Sequence, residues 1–249
     1  MASQQQLKSR IGSVKNTRQI TKAMELVSAS KMRRAQDSAF KGRDYRNLAL
    51  QLLTRLKQLT DVTKHPLYEV RPIKSRLHVL ITSDRGLAGA YNSSAIKQFT
   101  KEVTEDRDTG IESKVITIGR QGSNFVGRIE HVTSLGAYHD FPEHPTANDL
   151  RPIWNLILDS YLEGEVDAVD IVYTHFRSSI VQEVTIQRLL PAAFEVVPIE
   201  DDLAGALFEP NPQMVLTSVT QRLVEVQLYQ AILESSASEQ SSRMLAMKN

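Results

Sequence analysis

The sequence predicts an α/β layer carried between two long helices that wind around each other antiparallel. Three observations predict it. From Gln4 to about Leu59 there is no proline, and glycine occurs only at Gly12 and Gly42. The middle of the chain alternates short β-branched runs with helical stretches, the pattern of an α/β layer. From Gln213 to Asn249 glycine and proline are again absent.

The first helix carries apolar residues at Leu7, Ile11 and Val14, then at Ile20, Met24 and Val27, and later at Leu48, Leu52, Leu56 and Leu59. Steps of three and four are helical. The stripe is narrow, as in a coiled-coil seam, not the broad face of a globular-core helix. At 1.5 Å per residue such a helix extends roughly 80 Å. "KHPLYEVRP" (Lys64–Pro72) ends it. Strands are then expected at Arg76–Asp84, Ser113–Gly119, Ala168–Phe176 and Gln182–Pro191, with helices near Asn92–Val103, Gln121–Arg128 and Asn148–Glu163. The last two strands follow each other so closely that they predict an antiparallel pair at the sheet edge. After "FEPNP" (Phe208–Pro212), Asn211 and Pro212 make a helix start. Leu216, Val219, Leu223 and Val226, then Tyr229, Ile232 and Leu233, carry a second narrow stripe. Neither striped helix can bury its seam alone, and winding the two together is the simplest solution.

The chain has 249 residues, of which 41% are hydrophobic and 24% charged, so a packed core is expected and disorder is not. It has no cysteine, which removes disulfides, thiolate metal sites and cysteine nucleophiles and fits a reducing compartment. No apolar run approaches the ~20 residues that span a bilayer. "MASQQQLKSRIGSVK" lacks the apolar core of a secretory signal. The expectation is a soluble cytosolic chain that can still sit on a membrane complex. The net charge of +1 hides an asymmetry: residues 1–57 hold 13 Lys and Arg against Glu25, Asp37 and Asp44, and the remainder is net acidic. A strongly basic first quarter points to an anionic partner.

"ITSDRGLAGAYNSS" (Ile81–Ser94) follows a strand and opens a helix, which is where phosphates bind. Its spacing is Gly86-x-x-Gly89, not G-x-G-x-x-G, and no G-K-[ST] is present. The better reading is a tight strand-to-helix turn in which Asp84 accepts backbone N–H groups. The six histidines are scattered. His139 and His144, with Asp140 and Glu143, lie in a proline-broken loop without helical ligand spacing and read as surface. No nucleophile elbow occurs, and "PIEDDL" (Pro198–Leu203) reads as a solvated connector. The basic residues Lys15, Arg18, Lys22, Lys31, Arg33, Arg34, Lys41, Arg43 and Arg46 point around the first helix, and no aromatic precedes Phe40 for base stacking. Three readings stand for this helix: a solvated face, a nucleic-acid-binding helix, and a helix surrounded by anionic protein surfaces.

"KSRIGSVKNTRQITKAMELVSASKMRRAQ", "ITSDRGLAGAYN", "FEPNP" and "VEVQLYQAILESSASEQSSRMLAMKN", in that order over essentially the whole chain, resemble the gamma subunit of F-type ATP synthases, in its bacterial form. The resemblance implies an antiparallel coiled coil of N- and C-terminal helices (1–60 and 210–249) plus a Rossmann-like α/β domain (61–209). It implies a rotary shaft that couples proton-driven turning of the c-ring to the conformational cycle of the catalytic beta subunits, and runs in reverse on hydrolysis. Implied partners are the alpha and beta subunits, the epsilon subunit and the c-subunit ring. No nucleic acid, cofactor, metal or catalytic residue is implied. The location implied is the cytoplasmic face of the bacterial plasma membrane, peripheral to it through the c-ring. Met24 stands where the family meets an acidic loop of beta, with Lys22, Lys31, Arg33 and Arg34 as flanking charges. Phe208 and Glu209 stand where the family has a Tyr-Glu pair near the c-ring, and Phe208 lacks the hydroxyl. The regulatory cysteine pair of the chloroplast type is absent, and family members continue for several helical turns beyond "RMLAMKN", so a weaker grip at the top of the shaft is expected. The alternatives from other classes are a nucleotide-dependent enzyme built on the α/β layer and a nucleic-acid-binding coiled coil, the latter requiring steeply salt-dependent affinity.

Overall fold

The computed structural model describes residues 4–249 apart from 63–64, 143–144, 194–195 and 200–207; within its helices the side chains of 40–47 and 147 are also outside the description. Helix α1 (Gln4–Leu59) runs unbroken for 56 residues. After a short 3₁₀ turn (Pro66–Tyr68) come β1 (Ser75–Ile81), α2 (Tyr91–Asp108), β2 (Glu112–Ile118), α3 (Arg120–Val126), β3 (Thr133–Tyr138), α4 (Ala147–Leu162), β4 (Ala168–Phe176) and β5 (Gln182–Leu190). Helix α5 (Pro212–Lys248) closes the order with 37 residues. Its start is set by Asn211, whose side chain accepts the Met214 N–H at 2.9 Å, followed by Pro212, which has no N–H to satisfy.

The sheet has the order β3-β2-β1-β4-β5. Strands β1 to β4 are parallel, and β5 pairs antiparallel with β4 at one edge, as the close spacing of these two runs predicts. Strand β3, at the other edge, is not among the expected strands. It is mostly exposed or half-buried and is interrupted by Gly136, so "TSLGAY" carries neither a continuous apolar run nor a clean alternation.

Alternation on β1 sorts the core. Leu77, Val79 and Ile81 join a cluster with Ile153, Trp154 and Ile157 of α4 and with Val224, Leu228, Ala231 and Ile232 of α5. Leu80 faces the other way, onto Ala95 and Phe99 of α2. Helix α5 is therefore both one strand of the coil and one of the helices that cover the sheet.

The coil seam differs in phase from the expected stripe. Ala49, Leu53, Leu56, Leu216 and Leu223 form a buried cluster, while Leu48 and Leu59 stay exposed. Higher up, α1 buries Ser28, Met32 and Ala35 instead of Ile20 and Val27. Leu7, Ile11 and Val14 are exposed. At 1.5 Å per residue the described α1 spans about 84 Å and the described α5 about 56 Å, and no described helix faces these residues.

Beside the seam, at the level of Leu216 and Leu223, the chain clasps α5 through two side chains. His65 lies 3.1 Å (Nε2) from the Thr217 hydroxyl and accepts the Leu67 N–H on Nδ1; Tyr68 shares a 3.0 Å hydrogen bond with Thr220. Nδ1 must stay unprotonated to accept, and burial pushes the His65 pKa below its ordinary value of 6.5. The native state therefore refuses a proton that the unfolded chain takes up. This contribution to stability is complete above about pH 7 and is lost as pH falls through 6.5 towards the lowered native value. Urea unfolding at pH 7.5 and 5.5 should show the loss, and His65→Gln should remove that component; an equal pH slope in the variant would count against it.

Candidate functional site

The strand-to-helix turn after β1 is built around Asp84. Its carboxylate accepts the Arg120 N–H (3.0 Å) and the Asp140 N–H (3.0 Å), so it joins the C-terminal ends of β1, β2 and β3. The backbone partners of Asp84 are as expected in kind, but they come from two neighbouring loops and not from its own turn. Gly119, at φ +98°, passes so close beneath that a Cβ would collide with the Thr82 carbonyl. Leu87 and Gly89 both take positive φ, and Ser83 hydrogen-bonds Asn92 at the start of α2.

In open α/β sheets ligands lie outside the strand ends where the strand order reverses, which here is between β1 and β4. Helix α5 occupies that place. The Tyr91 and Ser235 hydroxyls are 2.7 Å apart, Ser238 donates to the Thr174 carbonyl, and Arg243 donates to the Arg85 carbonyl at 3.1 Å. Burial pushes the Tyr91 phenol up. The same cause raises the carboxyl of Glu239, against the pull of the Arg243 guanidinium that pairs with it.

Beside α5 a cleft of about 680 Å³ separates α1 from the strand ends. Met24, Lys31 and Arg34 line its α1 wall; Asp84, Glu239 and Arg243 line the others. Lys22 and Arg33 are not part of it. Lys22 is exposed and paired with Glu25 at 2.8 Å, and Arg33 faces outward. The structure thus brings three of the five proposed beta-contact residues to one cleft. Phe208 and Glu209 lie near the start of α5: Phe208 is half-buried against the coil seam, and Glu209 is exposed. His139 is exposed, whereas Glu143 and His144, the side chains of Lys41, Arg43 and Arg46, and 200–203 of the acidic connector lie outside the described residues. Among the described residues there is no group of three metal-ligating side chains and no helix long and apolar enough to cross a membrane.

Sequence reasoning missed two features. One is a buried charged network under α2: His78 pairs with Asp106 (2.8 Å), Ser113 donates to the same carboxylate, and Arg76 lies between Asp106 and Asp170. Its members are far apart in the chain and carry no motif. The other is the row of serines on α5, whose step of three from Ser235 to Ser238 to Ser241 was legible as one helical face.

A long two-helix coil whose second helix also covers the sheet of a side domain defines a stalk protein. The family described as ATP synthase matches residues 3–249. The ATP synthase gamma chain of Acidithiobacillus ferrooxidans (strain ATCC 53993 / BNL-5-31) is 36% identical over all of this chain and 87% of its own length. That of Xylella fastidiosa (strain M23) is 38% identical over all of this chain and 86% of its own. Among solved structures, the central stalk and c-ring of the Tetrahymena thermophila mitochondrial ATP synthase contains a chain with TM-score 0.70 and 28% identity, covering 92% of this chain and 98% of that one. A chain of the Euglena gracilis mitochondrial rotor, at TM-score 0.61 and 16% identity, covers 97% and 88% and shows the shared fold. The chain belongs to the ATP synthase gamma-chain family.

Proposed function

We propose that this chain is the central rotor of an F-type ATP synthase, turned by the c-ring and driving the catalytic beta subunits, with alpha, beta, epsilon and c subunits as partners. It performs no covalent chemistry itself. Residues 1–60 and 210–249 act as the shaft and 61–209 as the side domain, at the cytoplasmic face of the bacterial plasma membrane. The observation that carries this reading is the shared helix: α5 belongs at once to the shaft and to the sheet of the domain, so the two turn as one body. Adding the chain to alpha and beta subunits should raise their ATPase activity, and absence of stimulation would overturn the reading.

Within it, Met24 supplies an adaptable thioether contact, and Lys22, Lys31, Arg33 and Arg34 attract the acidic loop of beta without fixed register, because Coulomb forces are non-directional. Phe208 and Glu209 mark the foot toward epsilon and the c-ring. Replacing the four basic residues together by Gln should slow rotation against load in single-molecule measurements. Unchanged torque would assign the transmission to steric pushing by the helix.

A further inference from the structure

At the level of the strand ends the α/β domain is fastened to one helix of the coil, and a cleft lies between it and the other. Helix α5 places Val224, Leu228, Ala231 and Ile232 in the sheet core. Above that apolar contact, Ser235, Ser238 and Ser241 stand on one face at steps of three, each fully buried. Their partners come from three different segments. Ser235 meets the Tyr91 hydroxyl at the start of α2, Ser238 donates to the Thr174 carbonyl on β4 (3.0 Å), and Ser241 donates to the Ser179 carbonyl in the β4–β5 hairpin (2.7 Å). Between helix α1 and the same strand ends lies the 680 Å³ cleft.

Apolar contact is non-directional. Hydrogen bonds have narrow distance and angle limits. A slide of α5 by one turn, about 5.4 Å, or a roll about its own axis breaks all three serine contacts together. Buried from water, the freed groups find no replacement partners.

We propose that α5 is the joint through which torque passes between the α/β domain and the shaft at this level, with the Ser238 and Ser241 hydroxyls and the Tyr91–Ser235 bond holding its register. Helix α1 takes up load from α5 through the coil seam. This rests on the rotor reading above.

The test uses the assembled complex in liposomes, with ATP hydrolysis and ATP-driven proton pumping measured on the same preparation. Each Ser→Ala change removes a bond worth about a fivefold factor in the balance between seated and slipped joint. The double variant S238A/S241A, with that balance shifted about 25-fold, should hydrolyse ATP at the wild-type rate yet pump fewer protons per ATP against a gradient. Tyr91→Phe keeps the ring packing and should lower the ratio by less; it is the arm to read if the double variant assembles poorly. Thr104→Ala, an exposed hydroxyl that bonds within α2 and lies outside the cleft, should leave the ratio unchanged. A wild-type ratio in both joint variants, or an equal loss with Thr104→Ala, overturns the proposal. The wild-type chain reports separately on the rotor reading, because without stimulation of hydrolysis that reading fails whatever the variants do.

Discussion

Asp170→Ala is expected to lower the unfolding free energy by about 3 kcal/mol, the low end of the range for removing one partner of a buried ion pair. Asp170 is buried on β4 and accepts from Arg188 through both Nε and Nη2 (2.5 and 3.1 Å), with Arg76 Nη1 3.5 Å away. Without its carboxylate two guanidinium groups lose their shared acid beside the sheet; Arg76 retains Asp106 at 3.4 Å and Glu102 at 4.0 Å, whereas among the described residues Arg188 retains none. The low end applies because the Arg188 side chain is 38% exposed and water screens part of its charge. For a chain of this size the loss corresponds to a fall in Tm of roughly 10 °C. Denaturant midpoints at constant m-value measure it. A change below about 1 kcal/mol would show that the pair stabilises little.

Leu53→Ala is expected to cost about 2–5 kcal/mol. Leu53 is fully buried in the seam with Leu56, Leu216 and Leu223, and Val62, Tyr68 and Phe208 pack on the same cluster. Leu48→Ala, five residues earlier and 48% exposed, should change stability by about 0.5 kcal/mol or less. The pair of variants tests the phase of the seam directly: equal effects would mean that the helices meet on a different face. In the assembled complex Leu53→Ala should also reduce coupling, because the lower shaft then bends under load.

The contrast between Leu48 and Leu53 shows how far the sequence could be read. Spacing located both long helices and the antiparallel edge pair, because periodicity over many residues averages out local noise. It did not settle which of several apolar residues faces the partner. Leu48, Leu52, Leu56 and Leu59 satisfy the same steps, while the seam also uses Ala49, whose small side chain gives no hydrophobic signal. Strand β3 escaped because an exposed edge strand with a central glycine has no apolar run to read. The resemblance selected the residues around Met24, but not that Met24, Lys31 and Arg34 share a cleft while Lys22 and Arg33 do not. That division depends on where α5 and the Asp84 turn lie in space. The Arg76–Asp106–Asp170 network is invisible for the same reason, since its members meet only once the sheet has formed.

The helix shared by coil and sheet also orders the chain's biosynthesis. Strands β1 to β5 leave the ribosome before α5, so Leu77, Val79, Ile81 and Ile171 have one face uncovered until Val224 to Ile232 emerge. Helix α1 is made first and waits longest, with its Leu53–Leu56 face open to solvent or to other chains. Completion of the last helix thus closes both cores in one event. A nascent chain stalled before residue 212 presents two apolar faces at once, the condition under which chaperones bind and aggregation begins.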